Sequence, residues 1–410
     1  MARSVCLVSP GNLASNPRLV KEAAALEQAG YDVTTVVCRQ AGSLASYDED
    51  LARRATWKVV VADRVPTERF WGAASRPLAR AMDGLRLPVP VSVAAAAYGG
   101  LVRTLRDAVA RVPADLYIAH YVAALPAAAT AAARHGGRLG FDAEDFHSGE
   151  GSDGDEDRFR MRMVERVERT VLPRCVHLTA AAPLIADAYA DKYGVAADTL
   201  LNVFPRDMAP FAPHPASTGA LRAYWFSQTI GPDRGLQAFL RAMAHCRADV
   251  VLDVRGDNRW GHGDRLMELA RELGVAARVN ILPMAAPEDM VRLAASYDLG
   301  LSLETDATLN RRICLTNKIF TYLLAGVPVL LSDTPAQRAL SPDLGRAARL
   351  ISLDDPQGTA GVLDALADRT ALEAAKAEAW QLGQQRYNWD VEKDVLLRSV
   401  DRAFEKGGRA

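Results

Sequence analysis

The sequence predicts two doubly wound α/β domains in tandem, and three observations support this fold class. Short apolar, β-rich runs alternate with longer helical patterns along the chain, which is typical of parallel sheets covered by helices. At 410 residues the chain is long for a single core. A proline-rich stretch at 202–220 interrupts the alternation and is typical of a linker. We therefore expect a first domain over 1–205, a linker over 206–219, a second domain over 220–385 and a C-terminal helix over 386–410 that crosses back to the first domain.

The first half of the chain repeats a strand–helix unit. The strand "SVCLVSP" opens it, and a helical pattern follows at 15–30, with Pro17 near its start and Gly30 at its end. Further strands are predicted at "DVTTVVC", "WKVVVAD", "ADLYIAHY", "RLGFDAED" and "CVHLTAA". This order predicts a parallel sheet for the first domain.

The second half starts the same pattern again. Its predicted strands are "ALRAYWFSQ", "DVVLDVRG", "RVNILP", "LGLSLE" and "PVLLSD", with helical patterns between them. Ligands of such sheets bind outside the carboxyl ends of the strands, so functional residues are expected directly after strands. With two sheets, the cleft between the domains is the expected active site.

Composition excludes several classes of protein. The formal net charge of −1 argues against a general nucleic-acid binder, which usually carries a basic excess. No signal peptide is recognised at the N-terminus, and no apolar run reaches the length of a membrane-spanning helix. Five scattered cysteines, without metal-ligand spacing, are typical of reduced thiols. These features predict a cytoplasmic protein, peripheral at the inner face of the membrane if it contacts lipid at all.

Four segments in order carry a resemblance to a known family. They are "SPGNLASNPRLVKEAAALEQAGYDVTTV", "ADLYIAHYVAALPAA", "FDAEDFHSGE" and "LTNKIFTYLLAGVPVLLSD". Together they resemble the retaining, nucleotide-sugar glycosyltransferases of the two-Rossmann (GT-B) type, "group 1" family. The resemblance implies a first domain that binds the acceptor and a second that binds the donor. It also implies transfer of a hexose-type sugar to a hydroxyl acceptor with retention at the anomeric carbon, using no metal and no cofactor.

One departure from the family concerns its donor-binding helix. Most members carry two glutamates eight positions apart there, and this chain has Ile313 and Thr321 instead. The second glutamate usually holds the donor ribose, so another group must do so here. The Asn317–Lys318 pair places the chain with members that have an Asn-Lys pair in this helix.

The predicted donor site combines cations with close backbone approach. The Arg234 guanidinium can bind phosphate oxygens bidentately, and the start of a helix at "CLTNKIF" favours an anion. Glu304 and Thr321 are candidates to hold the ribose or sugar. In each case the alternative is ordinary structure, such as an arginine on a turn or a capped helix with an exposed lysine. The predicted donor-binding residues are Gly11, Gln228, Arg234, Gly256, Pro283, Met284, Glu304, Leu315, Thr316, Asn317, Lys318 and Thr321.

The first domain supplies the predicted catalytic and acceptor-binding residues. His120 ends a strand, where it could donate to the sugar or take a proton, although a lone histidine is more often structural. "FDAEDFH" concentrates acids after another strand, and its alternative is a solvated turn. The predicted catalytic residues are His120, Glu144 and Asp145. The predicted acceptor-binding residues are Arg18, Asp142 and His147.

The sequence alone leaves other functions and partners open. A nucleotide-sugar epimerase would use the same two-domain architecture, and a non-catalytic sugar-nucleotide-binding protein would explain the lost glutamates. The acceptor could be a polysaccharide, a lipid-linked oligosaccharide or a small natural product. The basic and aromatic stretch 64–90 is compatible with an anionic membrane or with an ordinary surface helix, and the sequence favours the second.

Overall fold

The computed structural model describes two compact units. It covers residues 2–40, 45–99, 101–232 and 234–405, so residues 406–410 of the predicted C-terminal segment lie outside the described residues. Unit 1 comprises Met1–Leu200 and Lys393–Ala410, and unit 2 comprises Leu201–Glu392. Among the described residues, no helix is both long and apolar enough to span a bilayer.

Unit 1 is built on a seven-stranded parallel sheet in the order β3-β2-β1-β4-β5-β6-β7. Its strands are β1 (Ser4–Val8), β2 (Asp32–Cys38), β3 (Lys58–Ala62), β4 (Leu116–His120), β5 (Arg138–Ala143), β6 (His177–Ala180) and β7 (Asp198–Thr199). Apart from the first residues of β1 and β5, strands β1, β4, β5 and β6 are fully buried, as in sheets covered on both faces.

Helices cover the unit 1 sheet. They are α1 (Pro17–Gln28), α2 (Ala45–Arg54), α3 (Thr67–Gly84), α4 (Val91–Tyr98), α5 (Val102–Val109), α6 (Leu125–His135), α7 (Asp155–Val171) and α8 (Pro183–Tyr193). α1 begins where predicted because Asn16 caps it, accepting a hydrogen bond from the Leu19 N–H at 3.0 Å, and Pro17 fits the first turn.

Unit 2 repeats the design with a six-stranded parallel sheet in the order β10-β9-β8-β11-β12-β13. Its strands are β8 (Leu221–Thr229), β9 (Val250–Asp257), β10 (Val279–Leu282), β11 (Leu299–Ser302), β12 (Val329–Ser332) and β13 (Ala348–Ile351). A buried core around Trp225 and Phe239 packs beneath it. The prediction of two parallel-sheet α/β domains is confirmed.

The helices of unit 2 alternate with these strands. They are α9 (Leu236–His245), α10 (His262–Glu272), α11 (Met290–Ala294), α12 (Leu309–Ile313), α13 (Asn317–Leu324), α14 (Pro335–Leu344), α15 (Pro356–Leu366) and α16 (Arg369–Gln385). The last helix, α17 (Trp389–Glu405), begins in unit 2 and contributes the residues from Lys393 onward to unit 1.

The strand orders locate where a ligand can bind. In unit 1 the order reverses between β1 and β4, and in unit 2 it reverses between β8 and β11. At such a switch point the loops leaving two neighbouring strands turn to opposite faces, which opens a crevice at the carboxyl edge of the sheet. Each unit therefore has its own candidate position for a ligand.

Candidate functional site

At the switch point of unit 2, the loop after β8 lies against the end of β11. Gly235 caps α9 with a left-handed φ of +68°. A Cβ on this glycine would lie 2.5 Å from Leu303 Cβ and 2.7 Å from Leu303 O. Only glycine fits so close to the neighbouring strand end, and its neighbour Arg234 is thereby held beside Glu304.

Glu304 is the centre of a cluster of three cations, which we call the cation cluster: Arg234, Arg311 and Lys318. The carboxylate is almost fully buried and accepts a hydrogen bond from Arg311 at 2.5 Å. Lys318 Nζ lies 3.3 Å from its other oxygen, and Arg234 acts on it electrostatically. One carboxylate therefore faces three positive charges at the carboxyl edge of the sheet.

The three cations close to one carboxylate determine the electrostatics of the cluster. Burial acts to raise the pKa of Glu304, but Lys318, Arg311 and Arg234 together hold it below its ordinary value, so the carboxylate stays ionised. Burial lowers the pKa of Lys318; Glu304 opposes that effect, while Arg234 and Arg311 add to it. An anion placed against these cations would offset the repulsion among them, so the cluster suits a polyanionic ligand.

The start of α13 adds backbone donors to the same place. The Ile319 N–H donates to the Thr316 carbonyl at 3.2 Å, but no side chain caps the first turn, and the helix dipole favours a negative charge there. The side-chain oxygen of its N-cap, Thr316, is buried without a hydrogen-bond partner among the described residues. Asn317 and Lys318 follow in the first turn, and Leu315 is buried just before it.

The two positions of the missing glutamates are enclosed. Ile313 is buried, and Thr321 is fully buried with its hydroxyl donating to the Asn317 carbonyl at 2.9 Å. The Thr321 hydroxyl is thus already used within the helix. Binding of a ribose by Thr321 or Glu304 stays a prediction.

The other predicted donor residues lie at the ends of β8, β9 and β10. β8 has one residue more than β9 between two paired positions, and this bulge carries the exposed Gln228. Gly256 is opposite the bulge, where a Cβ would lie 2.9 Å from Ser227 O. Beside it, a cavity of about 340 Å³ is lined in part by Gly256, Pro283 and Met284.

Replacing Gly235 with alanine is expected to destabilise unit 2 by more than about 2 kcal/mol, because a left-handed φ costs about 1–2 kcal/mol and the Cβ also collides with Leu303. Gly274→Ala is the matched control, since Gly274 has a φ of +70° but open space where a Cβ would lie. The free energies of unfolding in urea measure the difference. Equal losses in the two variants would mean that the contact with Leu303 contributes nothing.

Unit 1 encloses a second charged cluster at its switch point. Arg18 donates to both oxygens of Asp142 at 2.6 Å and to the Leu200 carbonyl at 2.8 Å. Thr179 donates to Asp142 at 2.5 Å. Arg18 and Asp142 are both buried, so the contacts they make are with their own chain. Binding of the acceptor by either of them stays a prediction.

His120 lies between two acids of this cluster. Its Nε2 is 3.3 Å from Glu22 and its Nδ1 is 3.4 Å from Asp142. Burial acts to lower the pKa of His120, but the neighbouring carboxylates, Glu22 first, raise it to about 10. The ring is fully buried, and the raised pKa favours its protonated form. A catalytic role for His120 stays a prediction.

The acids at the rim of the same edge are more accessible. Glu144 is partly exposed, 3.8 Å from His120, and Asp145 is also partly exposed. His147 is buried, with Nδ1 3.0 Å from Glu150, which raises the pKa of His147 to about 9 against the effect of burial. On the other side of the switch point, the buried Gly11 follows β1, and its N–H donates to Ser9 at 3.2 Å.

Three residues of these clusters were not predicted from the sequence. Arg311 belongs to a pair of arginines just before the predicted donor helix, and that charge density was the available signal. Glu22 follows Arg18 by four positions, which is ion-pair spacing on a helix. Tyr121, whose ring centre lies 6.1 Å from that of His147, has a φ of +67°, which is uncommon for a bulky residue and gave no sequence signal.

Comparison with known proteins identifies the fold. Neither a protein-family model nor a curated protein matches the chain. Solved structures do match over nearly its whole length. HepE from Anabaena, in complex with UDP and glucose, is 15% identical with a TM-score of 0.70, covering 97% of this chain and 99% of its own.

Two further structures agree. Sucrose-phosphate synthase from Thermosynechococcus elongatus is 12% identical with a TM-score of 0.71, covering 99% of this chain and 100% of its own. A mutant of TarM from S. aureus, bound to UDP, is 8% identical with a TM-score of 0.66, covering 97% of this chain and 99% of its own. At these identities the likeness establishes the architecture: the chain has the GT-B fold, with two Rossmann-like parallel-sheet domains in tandem.

Proposed function

We propose that the protein transfers a hexose-type sugar from a nucleotide-diphosphate sugar to a hydroxyl acceptor. The observation that carries this proposal is the cation cluster, in which three cations face one buried carboxylate at the switch point of unit 2. A diphosphate would place negative charge against these three cations. The solved structures of HepE and TarM with UDP, on the same fold, support a nucleotide diphosphate as the ligand.

The chemistry required is stabilisation of a leaving group. In the transfer, the bond between the anomeric carbon and the β-phosphate oxygen breaks, and the acceptor oxygen bonds to that carbon. The acceptor proton passes to the departing diphosphate. Negative charge builds on the phosphate in the transition state, where Arg234, Arg311, Lys318 and the start of α13 would stabilise it without reorganisation.

We propose that the nucleobase occupies the cavity between the ends of β9 and β10. It measures about 340 Å³ and has apolar lining from Ile281, Pro283 and Met284 with polar groups at Asp257 and Asn258. Gly256, which also lines the cavity, has no side chain, and this lets the bulge of β8 pack closely against it. This division, base in the cavity and diphosphate on the cation cluster, would orient the sugar.

In unit 1, we assign acceptor contact to Glu144 and Asp145, the partly exposed acids at the carboxyl edge of the sheet. Arg18, His120 and Asp142 would act as positioning residues beneath them. These three residues form a buried ion network, and His120, 3.8 Å from Glu144, would orient the Glu144 carboxylate. The proposal includes retention at the anomeric carbon and catalysis by protein groups without a metal ion, as the sequence resemblance implies.

A thermal-shift screen tests the donor. UDP, GDP, ADP, CDP, dTDP and their sugar forms are added to the wild type, to Arg234→Ala and to Arg241→Ala, an exposed arginine of unit 2. A ligand that binds only the native state stabilises it by about 2.7 kcal/mol at 100 times its Kd. We expect one diphosphate to raise the unfolding temperature of the wild type and of Arg241→Ala, and to lose most of this effect in Arg234→Ala.

The outcomes separate the functions. Stabilisation by one nucleotide sugar together with its slow hydrolysis or transfer supports the transferase. Stabilisation without any turnover, with acceptors present, supports a non-catalytic binding protein, and interconversion of two nucleotide sugars supports an epimerase. If no diphosphate stabilises the wild type, the cation cluster is a structural ion network and the proposal fails.

A further inference from the structure

Helix α3 of unit 1 presents apolar side chains to solvent where a surface helix normally presents polar ones. Its buried face carries Glu68, Ser75 and Ala79. The opposite face, at helical spacing, carries an exposed row of Phe70, Ala74, Pro77, Ala81 and Gly84. We call residues 64–90, which contain this helix and its flanking segments, the α3 surface.

Large apolar side chains are concentrated on the α3 surface. Phe70 is 78% exposed and Leu85 is 71% exposed, and Leu78 and Leu87 are also exposed. Among the described residues, these four are a large share of all exposed bulky hydrophobic side chains, although the surface is a small part of the chain. Exposed bulky apolar side chains concentrated in one segment of this kind favour an interaction site.

The charges around the patch are positive. The α3 surface has five arginines and two acidic residues. Both acids are engaged: Glu68 accepts from the Thr104 hydroxyl at 2.8 Å, and Asp83 accepts from Arg162 at 2.7 Å. Arg76 and Arg80 share the carboxylate of Glu156, so two cations are set against one acid there.

The remaining arginines are available to a partner. Arg64, Arg69 and Arg86 are exposed and make no ion pair with an acid of the described residues. On the other flank of the helix, the Arg103 guanidinium lies 4.4 Å from the centre of the Trp71 ring. Arginines thus lie on both sides of the apolar row, the arrangement in which long cationic side chains reach lipid headgroups while apolar ones enter the acyl region.

We propose that the α3 surface binds an anionic lipid bilayer, with Phe70, Leu78, Leu85 and Leu87 inserted at the headgroup boundary. Side chains that protrude this far offer insertion into a fluid surface rather than a groove for a folded partner. A second copy of the chain is disfavoured, because a symmetric contact would bring the unpaired arginines of both copies together. The surface uses none of the residues of the cation cluster, so this proposal and the proposed function stand or fall separately.

Vesicle flotation of the full-length protein tests the proposal. Vesicles of phosphatidylcholine alone are compared with vesicles in which about one third of the lipid is phosphatidylglycerol. We expect the wild type to float with the anionic vesicles at least ten times more than with the neutral ones. The double variant F70S/L85S is expected to lose more than about tenfold in binding, because two large apolar side chains no longer insert.

Phe211→Ser is the matched control, since Phe211 is fully exposed and belongs to unit 2, whereas the α3 surface belongs to unit 1. It should float as the wild type does. We expect circular dichroism melting curves to show that both variants are folded as stably as the wild type, because the substituted side chains are exposed. Absence of wild-type flotation, equal flotation with both vesicle types, or wild-type flotation of F70S/L85S would overturn the proposal. So would concentration-dependent dimerisation that F70S/L85S abolishes in a protein that does not float, since it would assign the patch to a second copy.

Discussion

Lys318→Met is expected to slow sugar transfer by about 100- to 1,000-fold, the usual loss when one preorganised group that stabilises transition-state charge is removed. Lys318 is buried within 3.3 Å of Glu304, so methionine fills most of its volume while removing its charge. The remaining Arg311 and Arg234 still balance the Glu304 carboxylate, so the variant should fold. Steady-state transfer with the nucleotide sugar identified by the thermal-shift screen measures the effect.

The form of the loss distinguishes catalysis from simple binding. If Lys318 stabilises the departing diphosphate, kcat falls and the KM for the donor changes less. Lys58→Met, an exposed lysine of unit 1, is the control and should retain wild-type turnover. An unchanged kcat in Lys318→Met would remove the lysine from the catalytic scheme and leave it as a structural partner of Glu304.

Asp142→Asn is expected to destabilise unit 1 by about 3–5 kcal/mol, because it leaves the buried Arg18 guanidinium without its carboxylate. The same change removes the charge of one of the three acids that lie within 4 Å of the His120 ring. Denaturation followed by circular dichroism measures the loss, with the unfolding of each unit fitted separately. Asp187→Asn, at an exposed position of the same unit, should leave stability unchanged.

The dependence of this effect on pH has a definite sign. Burial acts to raise the pKa of Asp142, but Arg18 and the other partners lower it to about 2. A carboxylate with a depressed pKa contributes stability above its ordinary pKa and loses it as the pH falls toward the folded value. The difference in stability between wild type and Asp142→Asn should therefore shrink on acidification from about pH 4 toward pH 2. A difference that stays constant over this range would show that the lost packing, and not the charge, is responsible.

The fold was predictable because the information for it is local. Each unit has apolar strands of a few residues followed by capped helices, and the cap at Asn16 and the glycine at position 30 mark the limits of α1. Repetition of that unit on either side of the prolines around residue 210 predicts two sheets. The preference for right-handed crossovers limits the strand orders that such a chain can adopt, but the order itself comes from the structure.

The candidate site was only partly predictable because its partners are distant in the sequence. Arg234 and Lys318 were recognisable from their local motifs, but nothing local shows that Glu304 would be enclosed by both together with Arg311. His120 gives the opposite example. The sequence places it at a strand end, where histidines often act as bases, but it does not show that Glu22 and Asp142 approach it from other elements and raise its pKa.

The apolar row on α3 was ambiguous for a related reason. A helical pattern with basic and apolar residues has the same sequence whichever face packs on the domain. Only the structure shows that Ser75 and Glu68 face inward while Phe70 faces solvent.

The close approach of Gly235 to Leu303 has a consequence for how such a site can change during evolution. The path of the loop is set by the contact of Gly235 with Leu303, which does not involve the Arg234 side chain. Position 235 therefore specifies the geometry of the loop, and position 234 specifies its charge. If Arg234 binds the donor as proposed, substitution at position 234 would alter which anion is recognised while the loop keeps its course, whereas substitution at position 235 would move the loop itself. New ligand preferences can therefore accumulate through position 234 without a prior change in the scaffold.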